Sequence, residues 1–155
     1  MNAAAAIEFE REMIDHACKG DAAAVDFVHR AIGYFHAADD VIDGHADAEG
    51  TVKAFIAGQD LYCHPFFLRH GHALNAVMRT CISTYADSVR WEHSTDPGKR
   101  AWADWARHCG MDLVLAVADI CGGWDHRRAV SLELRGYILA VAEQEKGNDN
   151  GIYST

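Results

Sequence analysis

The decamer Met111-Asp-Leu-Val-Leu-Ala-Val-Ala-Asp-Ile120 is apolar on every side except at its two aspartates, and Gly122-Gly123 follows after Cys121. A helix without a polar face has to be surrounded by other elements, because an exposed stripe of this kind would leave large apolar area in water. The rest of the chain must therefore supply cover on all sides of this segment. Asp112 and Asp119 are seven residues apart and share one face, on the row Trp105, Cys109, Asp112, Ala116, Asp119.

Helical spacing recurs along the chain. Residues 3–18 carry Ala6, Ile7, Met13, Ile14 and Ala17, and Lys19-Gly20-Asp21 then offers a helix stop and a new N-cap. A second helix over residues 22–43 carries Val25, Val28, Ile32, Phe35 and Ile42, with Gly44 as its stop; the short turn predicts an antiparallel hairpin with the first. Between His45 and Cys63 the pattern loosens, with room for a short helix over residues 51–57. Pro65 suits the first position of a long helix whose inner face is Phe67, His70, Leu74, Val77, Met78, Cys81 and Tyr85, ending near His93. Asp96-Pro97-Gly98 is a turn. A fourth helix over residues 99–120 includes the central decamer, and a fifth covers residues 124–145, with residues 147–155 a frayed tail. The expectation is all-α: one domain, an up-and-down bundle of about five helices.

Composition narrows the class. Two prolines in 155 residues favour helix, and no apolar run reaches the ~20 residues needed to cross a bilayer. A formal charge of −9 repels phosphate backbones and anionic lipid, which argues against general nucleic-acid or membrane binding. Five cysteines without a Cys-x-x-Cys pair fit reduced thiols, and an N-terminus lacking the basic-then-apolar order of a signal peptide fits the cytoplasm.

Candidate chemistry concentrates in His36-Ala-Ala-Asp39-Asp40-Val-Ile-Asp43-Gly44-His45-Ala-Asp47. His36 and Asp40 are four apart and Asp40 and Asp43 three apart, so each pair can approach one ion from one helix face. Carboxylates suit Mg²⁺ or Mn²⁺, and histidine ligation would shift preference toward Zn²⁺. The competing reading is a solvated acidic helix end, although several acids near the negative pole of a helix dipole are uncomfortable without a cation. Asp39 lies on the apolar stripe between Phe35 and Ile42, and Asp119 interrupts another; a buried salt bridge with Arg69 or Arg127 would account for either as well as a metal would. In a five-helix bundle the end of the second helix, the start of the third, the end of the fourth and the start of the fifth share one pole. That pole would gather His36, Asp39, Asp40, Asp43, His45, His64, His70, Asp119, Asp125 and His126, with Arg69, Arg127 and Arg128 placed to bind an anion. His29, His72, His93 and His108 read as surface or packing residues, and Asp112 as a structural hydrogen-bond partner.

Three resemblances bear on function. Asp39-Asp40-Val-Ile-Asp43 resembles the DDxxD motif of prenyl-diphosphate synthases, which implies Mg²⁺ held on a diphosphate, although Asp119-Ile-Cys-Gly-Gly-Trp-Asp125 is a poor substitute for the second acidic motif of that family. Glu12-x-x-Asp15 with Asp40-x-x-Asp43 resembles the paired acidic motifs of all-α nucleotide pyrophosphohydrolases. A turn at Gly20 would, however, leave the two pairs at opposite ends of a helix about 35 Å long. Asp39-Asp40-Val-Ile-Asp43-Gly44, Pro65-Phe-Phe-Leu and Gly122-Gly-Trp-Asp-His-Arg-Arg128, taken in order, resemble small helical phage and prophage proteins. The expectations are therefore a divalent-cation site of Asp39, Asp40 and Asp43, assisted by His36, His70 or Asp119 and acting on a phosphate or diphosphate, or a non-catalytic phage accessory or assembly protein with a homo-oligomer or protein partner. A third is an anion or small-ligand pocket without metal.

Overall fold

A computed structural model describes residues 3–149 of the chain, all helical apart from short turns. The elements are α1 (Ala3–Ala17), α2 (Ala22–Ile42), α3 (Ala48–Cys63), α4 (Pro65–Glu92), α5 (Pro97–Ala106), a single 3₁₀ turn (Arg107–Cys109) and α6 (Gly110–Asp149). The protein is an all-α helical bundle, and among the described residues no helix is long and apolar enough to cross a membrane.

The helix starts at Asp21 and Pro65 are those the sequence predicts, while Asp47 and Asp96-Pro97, read there as a candidate ligand and a turn, also begin helices. Asp21 accepts from the backbone N–H groups of Ala23 at 2.9 Å and Ala24 at 3.1 Å, satisfying two donors at the head of α2. Asp47 does the same for α3 through Gly50 N–H at 2.7 Å, and Asp96 for α5 through Gly98 N–H at 2.8 Å. Pro65 and Pro97 open α4 and α5, where a missing N–H costs nothing. Gly123, at φ 76°, breaks α6 into two limbs. A non-glycine residue there would be held in the left-handed region.

The limb of α6 before Gly123 is central, as its apolar surround predicts. Leu113 and Val117 face a core built from Phe27, Val28, Leu61, Phe66, Leu74 and Met78, together with Ile14 and Cys18. Leu115 and Ala118 face a second core with Met13, Ala17 and Val130. The two aspartates of this limb escape burial: Asp112 is exposed and 3.6 Å from the guanidinium of Arg135, and Asp119 is exposed. The second limb lies antiparallel along α1, with Phe9 stacked on Tyr137 at 4.2 Å and His126 Nε2 3.0 Å from the Ala17 carbonyl. Helix α1 thus rests on α6 more than along α2, a departure from the expected hairpin, because Met13 and Ala17 find their apolar partners there.

Two further departures matter for the site. The loose stretch after Asp47 is a full helix of 16 residues rather than a short one. It descends along α2, and the approach is close at Gly58, where an added Cβ would stand 2.9 Å from the Tyr34 ring. The fourth helix expected over residues 99–120 is instead two helices, bent at Arg107–Cys109, with Trp102 and Trp105 exposed on the first. Of the tail expected to fray, residues 147–149 continue α6, and residues 150–155 lie outside the described residues.

If the first limb of α6 serves two cores, Leu113→Ala and Leu115→Ala should each lower unfolding free energy by about 2–5 kcal/mol. Asp119→Ala should change it by less than about 0.5 kcal/mol. Urea denaturation followed by circular dichroism measures both. A neutral Leu115→Ala would mean that the second core does not form.

Candidate functional site

The helical course of residues 48–63 decides which polar groups meet. Because α3 returns the chain to the lower end of α2, α4 starts there and climbs. His64, at the head of α4, shows the register: its Nε2 is 3.0 Å from Asp26 Oδ2, one turn into α2, and its ring lies 5.6 Å from that of Phe27. His70 follows at this lower end, 4.7 Å from the Phe66 ring. Asp39 is thirteen residues above Asp26, about 20 Å along α2. The expected gathering at one pole is corrected accordingly.

His64, His70 and Arg69 occupy the lower end. The first limb of α6 descends from Gly110, whose backbone lies against Phe35, so Asp119, Asp125, His126, Arg127 and Arg128 are at the lower end as well. Asp119 and Arg127 border a shallow cleft with Ala73, Val77 and Thr80 of α4, and neither lines the cavity to which Asp39 belongs. Arg127 also lies over the Trp124 ring, 5.6 Å from its centre. The upper end keeps only His36, Asp39, Asp40, Asp43 and His45 of the expected set.

At that end Asp40, Asp43 and His45 are exposed, and the Asp40 carbonyl closes the helix by accepting from His45 N–H at 2.8 Å and Ala46 N–H at 3.0 Å. Among the described residues no three His, Cys, Asp or Glu side chains come together in a way that would hold a metal ion. Asp39 differs from its neighbours. It is half-buried, and its Oδ1 accepts from the Tyr85 hydroxyl of α4. Arg107, from the bend before α6, is close enough to both to feel their charge, and its guanidinium is paired with Glu92.

The electrostatics follow from this arrangement. Burial pushes the Tyr85 phenol above its ordinary range, and the hydrogen bond to Asp39 adds to the rise by favouring the protonated donor. Burial works against the Arg107 charge, but Glu92, Tyr85 and Asp39 together hold its pKa above the ordinary value. The sequence had suggested Arg69 or Arg127 as partners for Asp39. Tyr85 and Arg107 take those places because α4 runs upward and the bend at residues 107–109 turns inward.

Beside this cluster lies a cavity of about 390 Å³. Ile32, Phe35, Ile42, Ile82 and Met111 give it apolar walls, and His36, Asp39, Tyr85, Arg107 and His108 its polar groups. A larger groove of about 730 Å³ lies on the other side of the same bend, between Trp91, Trp102, Trp105 and Met111. Its polar members Asp87, Asp112 and Arg135 are exposed side chains with no inward carboxylate among them. The smaller cavity is thus where charge has been drawn inside the fold. Tyr85 appeared in the sequence as an inner-face residue of α4. Arg107 carried no signal, since a continuous helix over residues 99–120 would place it differently.

No known protein family, characterised protein or solved structure matches the chain in sequence or structure comparisons. Geometry alone carries the functional reading.

The lower end holds a second charged contact of a structural kind. His64 Nδ1 accepts from Phe66 N–H at 3.2 Å, so its Nε2 bears the proton and donates to Asp26. Arg30 Nε also donates to Asp26, at 2.9 Å, and these two bonds, Arg30 first, hold the carboxyl below its usual 3.8. A lowered folded-state pKa stabilises the fold above pH 3.8, and that stabilisation is lost as pH falls through the lower value. Since Asp26 is half-exposed, its share is under about 1 kcal/mol. Wild type should exceed Asp26→Asn by that margin at pH 6, and the gap should narrow below pH 4 in urea titrations. A gap that widens on acidification would contradict the assignment.

Proposed function

We propose that the protein binds a small amphipathic molecule in the cavity between α2, α4 and the bend that leads into α6. The observation that carries this reading is Asp39, a half-buried carboxylate with one oxygen held by Tyr85, opening on an apolar cavity of about 390 Å³. Small-molecule sites are mostly apolar hollows of about 300–1,000 Å³ with a few placed polar groups, and this one falls within that range. An apolar body would rest against Phe35, Ile82 and Met111, and the free oxygen of Asp39 would accept from the ligand's polar end.

The local charge selects the class of that end. Asp39, Asp43 and Glu92 outnumber Arg107, whose guanidinium is already paired with Glu92. The surplus is negative, as is the whole chain at −9. A donor head, above all a protonated amine, suits this site better than a carboxylate or phosphate. Binding, rather than a particular reaction, is what this geometry supports.

A thermal-shift series tests the proposal, because ligands that prefer the native state raise its melting temperature. Arylalkyl amines such as phenethylamine and tyramine should raise it, and Asp39→Asn should abolish the rise. The matched carboxylic acids should have little effect. Equal shifts in wild type and Asp39→Asn, or a preference for the acids, would overturn the proposal. Mg²⁺, Mn²⁺ and Zn²⁺ belong in the same series: a metal-dependent rise lost in Asp40→Ala and Asp43→Ala would instead support a cation site at the end of α2.

A second reading is favoured by one observation. Val52, Phe55 and Ile56 of α3 are exposed, Phe55 by 77 %. Such a face is what an accessory or assembly protein of the phage kind would present to a partner. Light scattering separates the readings: an oligomer dissolved by Phe55→Glu supports this one, and a monomer at all concentrations counts against self-assembly.

A further inference from the structure

Two thiols meet where α4 passes the bend before α6. Cys81 donates to the Cys109 carbonyl at 3.1 Å, and Cys109 donates to the Cys81 carbonyl at 3.2 Å. The two side chains therefore lie alongside one another in opposite sense, each thiol against the other residue's backbone carbonyl. Their environments differ. Cys81 is 1 % exposed, whereas Cys109 is partly exposed and borders both the cavity beside Asp39 and the groove beside Trp105.

We propose that Cys81 and Cys109 form a redox-modification site that closes reversibly to a disulfide when the protein meets a peroxide. The pairing is between two elements 28 residues apart, so it depends on the tertiary fold rather than on a sequence motif. A disulfide bond is about 2.05 Å long, and side-chain rotation can bring together two cysteines whose sulfurs each already touch the other's backbone carbonyl. Cys109 is the attacking group. Its position against two open hollows lets a small oxidant reach it, whereas Cys81 is sealed from solvent. The neighbouring Cys109 first, and burial second, keep Cys81 protonated until it acts as the resolving thiol.

The chemistry balances with hydrogen peroxide as the two-electron oxidant. The Cys109 thiolate attacks one peroxide oxygen, the O–O bond breaks, and hydroxide leaves to take up a proton as water, giving a sulfenic acid. The Cys81 sulfur then attacks the sulfenic sulfur. The S–S bond forms as the S–O bond breaks, and the departing hydroxyl leaves with the Cys81 proton as a second water. The other thiols are less suited. Burial pushes Cys18 up to about 12 and also raises Cys121, while Cys63 is exposed and has Gln59 rather than a second thiol beside it.

Peptide mapping of the native full chain after treatment with excess hydrogen peroxide tests the assignment. A Cys63→Ser background removes intermolecular bridging. The expected result is a monomer lighter by about 2 Da, the mass of two hydrogens, and restored by dithiothreitol. The tryptic peptide ending at Arg90 should be joined to the one beginning at His108. Cleavage at Met111 separates Cys109 from Cys121 and fixes the partner. In Cys81→Ser, Cys109 should accumulate sulfenic acid that dimedone captures. No mass loss in the folded protein, a link through Cys18 or Cys121, or a link formed only in denaturant would each overturn the proposal. The native mapping stands even if the serine variant fails to fold.

Discussion

Everything in this bundle is arranged around one helical limb that is apolar on every side but the narrow stripe of Asp112 and Asp119. Residues 110–122 put Leu113 and Val117 into one core and Leu115 and Ala118 into another, so both depend on the same stretch of backbone. The first core collects α2, α3 and α4, and the second collects α1 and the far limb of α6. Gly123 makes this possible by turning the chain in a conformation that only glycine adopts freely. Without that break the second limb would run on past the bundle, and Met13 and Ala17 would lose Val130 from their core.

The character of this limb was legible in residues 111–120, because an apolar surround admits few placements. Helix starts were legible in part: Asp21 and Pro65 act locally, through hydrogen bonds or a missing donor within their own turn, whereas Asp47 stood in the sequence among candidate ligands and Asp96-Pro97 as a turn, though both begin helices. What failed was direction. Residues 48–63 alternate Val52, Phe55 and Ile56 on the exposed side with Ala54, Gly58 and Leu61 on the buried side. Exposed apolar residues blur the stripe, and the buried contact at Gly58 depends on a small residue that periodicity weighs as a breaker. One unread helix reversed α4, and with it the positions of His70, Arg69 and every lower-end group expected beside Asp39.

The candidate site shows the same division. Asp39 was marked by its place on an apolar stripe, a property of α2 alone, and it is the one acid of its run that the fold draws inward. Its partners could not be read from the sequence, since Tyr85 reaches it only because α4 climbs, and Arg107 only because residues 107–109 bend. The same bend sets Cys109 beside Cys81 and opens the cavity between them and Asp39. A carboxylate held by a phenol in a half-buried hollow is costly to desolvate and is tolerated when its oxygens find donors. One oxygen is accounted for by Tyr85; the other makes the hollow suited to a ligand that brings its own donor.

The register of α4 against α2, and the polar cluster it creates, are tested most directly by a double-mutant cycle. Unfolding free energies of wild type, Asp39→Asn, Tyr85→Phe and the double variant at pH 7 give the Asp39–Tyr85 coupling free of each side chain's other contacts. A hydrogen bond to a half-buried carboxylate should appear as a favourable coupling of about 1 kcal/mol or more. A coupling within about 0.3 kcal/mol of zero would show that the two side chains do not meet, and would remove both the upward course of α4 and the site built on it.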